Sequence, residues 1–331
     1  MLTPTLSLQI ADALYEQVGR VRLRRGLLPI VDRLEVVLPA GTTLDAALGD
    51  DVILELDGGE GSTTVFTGSL GAIQHGLRSL RVTAHGFALT LARARPAGAY
   101  EKLSVQEVVE RLTEDLEIAL SIRDADMPTA LFVCEGRASA LELIVRVCAM
   151  AGLQAAFDGE GSLQIGPDGP GDALALRYGR ELIDVASAAW SADPNEFTVA
   201  GEGGGAPDSD QSLWVAKDFF AGSGTAAGTG VRWRSEPLIR RVDDARTAGE
   251  AWTTAQRRRE APIRMQTWLL PELAPGSTID VEDLPDHLPL PTCMVRQVVH
   301  EIDPRFGGRS SVWACSADAG GGLLAGLGGL F

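Results

Sequence analysis

The sequence predicts an α+β chain that is mainly β, with two antiparallel β-barrels flanking a small α+β module. Three observations predict it. Short alternating strands bounded by Gly, Pro or Asp fill both ends of the chain. The middle changes texture, with helices announced by capping signatures. Two stretches also echo each other across that middle. LGDDVILEL (48–56) and APGSTIDVED (274–283) each set a Gly turn before a polar–apolar strand, and each leads into a strand-rich closing segment. Two related barrels account for the echo.

Residues 1–100 read as the first barrel. LSLQI alternates, and RVRLR (Arg20–Arg24) alternates with its basic residues on one side. DRLEVVLP, DDVILELDGG, TTVFTGSL and RSLRVTAHG follow, a spacing that fits an antiparallel sandwich or barrel. The α+β module spans 101–173. Ser104 with Glu107 and Ser139 with Glu142 carry the capping-box pattern, each followed by an apolar stripe. Gly152 sits where the second helix should stop. LQAAF and SLQIG then read as strands joined by the turn DGEG. The second barrel spans 174–315, through ALALRY, LIDVASAAW, EFTVAG, IRMQTWLL, STIDVED, CMVRQVVHEID and SSVWACSA. It contains one helix, 248–259, opened by a third box at Thr247 and Glu250. GEGGGAPDSDQS (201–212) reads as a mobile loop, and 316–331 as a Gly/Leu-rich tail.

Composition narrows the function. Hydrophobic residues make up 45% of 331, enough for real cores. The net charge of −16 argues against a sequence-independent duplex binder, which needs a basic face. It is compatible with DNA passing close by, since an acidic wall repels a polyanion. Cys134, Cys148, Cys293 and Cys315 form no CxxC pair and read as buried free thiols. No signal peptide is visible and no run reaches the ~20 apolar residues of a membrane helix.

Candidate chemistry is thin, and no catalytic, cofactor-binding or metal residue is assigned. His85 reads as a turn histidine beside Phe87. In VVHEIDP, alternation separates His300 from Glu301, so the pair reads as a solvated strand end rather than a ligand set. Asp280, Glu282, Asp283 and Asp286 lack calcium-loop spacing and read as a solvated or lumen-facing loop. The stretch GEGGGAP does not link a strand to a helix as a dinucleotide fingerprint must. Arg20, Arg22, Arg24 and Arg25 form the basic cluster. They suit either a solvated strand edge guarded by charge or a contact with an acidic neighbouring subunit. Gln256 to Arg259 end a helix, where cations suit the dipole.

Four segments carry a resemblance by their order. They are the run LGDDVILEL…TVFTGSL…RVTAHGFALTL, the helix SVQEVVERLTEDL, the helix–AGL–strand–DGEGSL–strand unit, and AGEAWTTAQRRREA followed by PELAPGSTIDV. Together they span most of residues 30–300. This order resembles the baseplate hub proteins of contractile phage tails, the late control protein D group, and the N-terminal part of type VI secretion spike proteins. The resemblance implies tail-tube-like barrels and a homotrimer in which three chains give a six-fold-like ring. That ring would join a tail tube above to a three-fold spike below, with DNA or effector cargo passing through an acidic lumen without specific binding. It implies a structural protein with no cofactor, placed in a virion tail or injection-system baseplate and assembled in the bacterial cytoplasm. The α+β module would hold the two barrels at a fixed angle.

Spike proteins of the family continue into further domains, whereas this sequence reaches GLLAGLGGLF soon after the second barrel, so the spike is expected as a separate protein. Leu323, Leu324, Leu327, Leu330 and Phe331 are the candidates for touching it. The alternatives are a tail-associated cell-wall hydrolase and a carbohydrate-binding module. The first lacks paired carboxylates or a Cys/His set. The second lacks aromatics near loops.

Overall fold

The computed structural model of the chain describes residues 5–59, 61–167, 173–188, 196–201, 223–225 and 231–317. Seven strands come first: β1 (Thr5–Ile10), β2 (Ala13–Tyr15), β3 (Arg20–Gly26), β4 (Arg33–Pro39), β5 (Asp51–Asp57), β6 (Ser62–His75) and β7 (Ser79–Gly86). Apolar residues alternate along each, and the inward set packs into one core of Leu8, Val21, Leu34, Val36, Leu54, Leu70 and Val82 among others. Each such Leu or Val contributes about 1.5–3 kcal/mol when fully buried.

The middle of the chain holds α1 (Ala88–Arg93), β8 (Ala97–Ser104), α2 (Val105–Thr113), β9 (Leu120–Ile122), β10 (Pro128–Glu135), α3 (Ala140–Ala151), β11 (Gln154–Phe157) and β12 (Leu163–Gly166). Both expected capping boxes form. Ser104 and Ser139 accept from the backbone N–H groups of Glu107 and Glu142, whose carboxylates accept in return. Gly152 closes α3 in the left-handed conformation at φ 74°, where a Cβ would be strained. The DGEG turn does more than reverse the chain. Gly159 lies flat on β6, where an added Cβ would stand 1.8 Å from the Thr64 carbonyl oxygen. Thr67 Oγ1 donates to the Gly159 carbonyl at 2.9 Å.

The last stretch holds β13 (Ala173–Arg177), β14 (Leu182–Ser187), β15 (Glu196–Gly201), β16 (Ser223–Thr225), β17 (Val231–Glu236), α4 (Val242–Glu260), β18 (Pro262–Trp268), β19 (Thr278–Glu282), β20 (Cys293–Asp303) and β21 (Gly307–Ser316). Two sequence expectations change here. The helix expected at 248–259 starts at Val242, with Asp243 and Asp244 at its positive end. Thr247 is therefore inside the helix, and its hydroxyl donates back to the Asp243 carbonyl instead of capping. Further, β15–β17 form their own three-stranded sheet. Val199, Leu238, Ile239, Ala248 and Trp252 share the core of α1–α3, so part of the expected 174–315 span packs with the module. Arg146 of α3 and the buried Glu236 of β17 form a two-pronged ion pair across that core's edge.

Barrel-like β structure at both ends was expected, and the observed connection is closer. One 13-stranded sheet runs through both halves, because β3 pairs with β20. Within it the two halves repeat. The first has the strand order β3-β4-β7-β6-β5 and the second β14-β18-β21-β20-β19, all antiparallel. The registers match as well. The row Val21, Val36, Val82, Ile73 in the first corresponds to Val185, Met265, Val312, Val298 in the second. A bulge interrupts β6 between Leu70 and Ala72, and β20 between Val295 and Gln297, at corresponding places.

The echo noted in the sequence is the turn that fixes this register. Gly49 N donates to Leu70 O at 2.8 Å and Leu70 N to Asp50 O at 2.8 Å. Gly276 N donates to Val295 O at 2.7 Å and Val295 N to Ser277 O at 2.8 Å. Both glycines sit at positive φ, 103° and 89°. The halves differ in their first strand: β1 runs antiparallel to β5, while β13 runs parallel to β19.

Candidate functional site

The basic cluster lies on β3, which is not an edge strand. It pairs with β4 on one side and β20 on the other, so the expectation of a charge-guarded edge is corrected. Alternation puts Arg20, Arg22 and Arg24 on the outer face. Arg22 Nε lies 3.0 Å and Arg20 Nη2 3.7 Å from Glu301 Oε1, and Arg24 Nη2 donates to Gln297 Oε1 at 3.1 Å. These are half-exposed pairs across the β3–β20 seam, worth little individually. They place Arg20, Arg22 and Arg24 on one exposed face of the seam.

Arg25 breaks the alternation and turns inward, where it is 2% exposed. Its Nη2 donates to the Phe157 carbonyl of β11 at 2.9 Å, and its Nε lies 3.5 Å from Asp32 Oδ2. Asp32 accepts from Gly26 N at 3.0 Å. His300 of β20 is buried too, with Nδ1 2.9 Å from Ser310 Oγ of β21, which corrects its reading as a solvated strand end. Beside them Leu27, Ala156, Met294 and Cys315 form a small apolar cluster drawn from both halves and the module.

One buried joint thus ties all three parts together. Burial pushes the Asp32 carboxyl up to about 6 even though Arg25 pulls it down. Burial, helped by Arg25, pushes His300 down to about 3, so the ring is neutral. The signal for this joint in the sequence was the doublet Arg24–Arg25, two charges in a row on an otherwise alternating strand.

The remaining candidates scatter. His85 belongs to β7 rather than a turn, held below its usual pKa by burial and by Arg33 and Arg93. In the acidic run, Glu282 pairs with Arg177 Nε at 2.8 Å and Asp280 accepts from Thr292 Oγ1 at 2.6 Å. All four cysteines are buried and free. Burial pushes the Cys148 and Cys293 thiols up to about 12, which keeps them protonated. Among the described residues, no group of three or more His, Cys, Asp or Glu is placed to hold a metal, and no helix is long and apolar enough to cross a membrane. Leu323, Leu324, Leu327, Leu330 and Phe331 lie outside the described residues.

This arrangement has known counterparts. A 43 kDa tail protein of prophage MuSo2 from Shewanella oneidensis superposes with a TM-score of 0.71 at 12% identity, covering 96% of this chain and 99% of that one. This is the fold of phage tail proteins. A tail protein from Neisseria meningitidis MC58 gives 0.70 at 14% identity, covering 96% and 97%. A tail-like Escherichia coli component of the type VI secretion system, described as structurally similar to the T4 bacteriophage tail proteins gp27 and gp5, gives 0.65 at 12% identity, covering 94% and 77%. The baseplate-hub resemblance drawn from segment order therefore holds at the level of the tail-protein fold. No protein-family model and no curated protein matches the chain.

Proposed function

We propose that the chain is a structural component of a phage-type tail or contractile injection system, a hub ring at the end of the tail tube. The observation that carries this reading is the internal repeat. Two five-stranded sheets with one strand order and matching registers stand side by side in one continuous sheet. A chain that carries the same ring-building unit twice converts three copies into six units, and so adapts a six-fold tube to a three-fold spike. The module docks on the first unit through Gly159 on β6 and Arg25 on β3, and on the second through Ala156 beside Met294 and Cys315, and so fixes the angle between the units. The net charge of −16 suits a lumen that lets DNA or acidic cargo slide without sticking.

The chemistry present favours this over catalysis. The groups shifted furthest, Asp32, His300, Cys148 and Cys293, are buried inside packed joints and cores, away from any substrate. Size-exclusion chromatography with light scattering at micromolar concentration tests the reading. A trimer of the 35.0 kDa chain is expected, and a stable monomer would contradict it. Clearing of purified cell wall by the pure protein would instead favour a hydrolase.

A further inference from the structure

The repeats leave two complementary edges. Inside the chain, β3 of the first repeat adds to the C-terminal part of β20 in the second, with Leu23 opposite His300 and Val21 opposite Ile302. By the matched registers, β14 takes the place of β3 and β6 the place of β20. Among the described residues, β14 is paired as a strand on one side only, by β18. Among the described residues, the end of β6, residues 72–75, is paired only by β7, because the pairing with β5 stops at Ser69. We propose that β14 of one copy adds to this end of β6 in the next copy, repeating between chains the joint that β3 and β20 make within one. The proposal rests on the ring reading and names the seam that builds it.

Carrying the internal register across sets Ser187 opposite His75, Val185 opposite Leu77 and Ala188 opposite Gln74. The backbone phase agrees. In the internal seam Leu27 N donates to Arg296 O at 2.9 Å, so Val21, Leu23 and Arg25 present their backbone groups to β20. Ala188 N donates to Pro262 O at 3.1 Å, which turns the groups of Val185 and Ser187, the counterparts of Val21 and Leu23, away from β18. Gly76 N donates to Ser79 O at 2.9 Å, which turns those of Ile73 and His75 away from β7.

The side chains agree too. Leu77 stands fully exposed at the hairpin tip, and the register lays it on half-buried Val185, as Ile302 lies by Val21. From Val185 to Ala188 the edge carries neither charge nor proline, the usual guards of a strand that must stay unpaired. Each copy offers β14 and receives on β6, a head-to-tail contact that closes when the rotation closes.

Cysteines test the seam in the full-length chain. Gln74 and Ala188 would form a non-hydrogen-bonded pair with Cα atoms about 4.5 Å apart, within disulfide reach. Both are exposed, and the four native cysteines are buried. Q74C/A188C should give covalent dimers and trimers on mild oxidation, while H75C/A188C, one residue out of register, should give none. In a second variant, Ser187→Pro removes the outward N–H that the seam needs, and no described strand pairing is lost. It should melt as the parent does but remain monomeric. A particle of the expected mass that fails to link through Q74C/A188C, or links through the control, overturns the seam and leaves the ring reading standing. So does a Ser187→Pro chain that assembles normally. A parent chain that is monomeric overturns both.

Discussion

The two repeats share a geometry and differ at their outer strands. In the first, β3 is rich in arginine, paired on both sides and anchored by Arg25 to the module. In the second, the matching strand β14 ends Asp-Val-Ala-Ser and, among the described residues, has β18 as its one strand partner. What the halves have in common is a turn, a bulge and a hydrogen-bond register, while most corresponding positions carry different residues. Register is set wherever one face of a strand is buried, because a slip of one residue exposes the core. The outer strands differ in use: β3 is an internal joint, while β14 has a strand partner on one side among the described residues.

That contrast can be broken at the joint. Arg25→Ala should cost about 3–5 kcal/mol in denaturant unfolding, since it strands the buried Asp32 carboxyl. Arg22→Ala, on the same strand but exposed, should cost under about 1 kcal/mol. Equal losses would remove the distinction between joint and surface.

Acid should probe the same joint. His300 is held down to about 3, so its neutral form stabilises the fold fully above pH 6.5, and that contribution is lost as pH falls toward 3. Asp32, raised to about 6, works in the opposite sense: its contribution is full below about 3.8 and lost as pH rises through 6. Comparing the parent with His300→Gln isolates the histidine. The gap in stability should narrow as pH drops from 6.5, by up to about 1.4 kcal/mol per unit. A gap that does not change with pH would mean His300 titrates normally.

The repeat itself is sharpened by its turns. Gly49→Ala and Gly276→Ala each force a side chain into positive φ and should each cost roughly 1–3 kcal/mol. Similar losses from both, read as melting shifts, support equivalent turns; loss at only one would not. The smallest effect is expected at the module, where Ser139→Ala removes a cap and should cost about 1 kcal/mol.

Local features were readable in the sequence. Two capping boxes, the αL glycine at 152, most strands and the paired Gly turns all depend on neighbours a few residues apart. Pairing partners were not readable. EFTVAG looks like any half-buried strand, and nothing in it says that β15 joins the module rather than the second half. Thr247 and Glu250 mimic a cap inside a helix that begins at Val242, since the pattern marks a start only where the chain is free to turn. His300 looked solvated because its burial comes from β3, nearly three hundred residues earlier.

The most direct measurement is electron microscopy of the purified particle viewed down its axis. Three chains arranged as six equally spaced lobes around an open lumen are expected, with alternate lobes identical. Particles showing a lone chain, or copies related by anything other than a threefold rotation, would contradict the account.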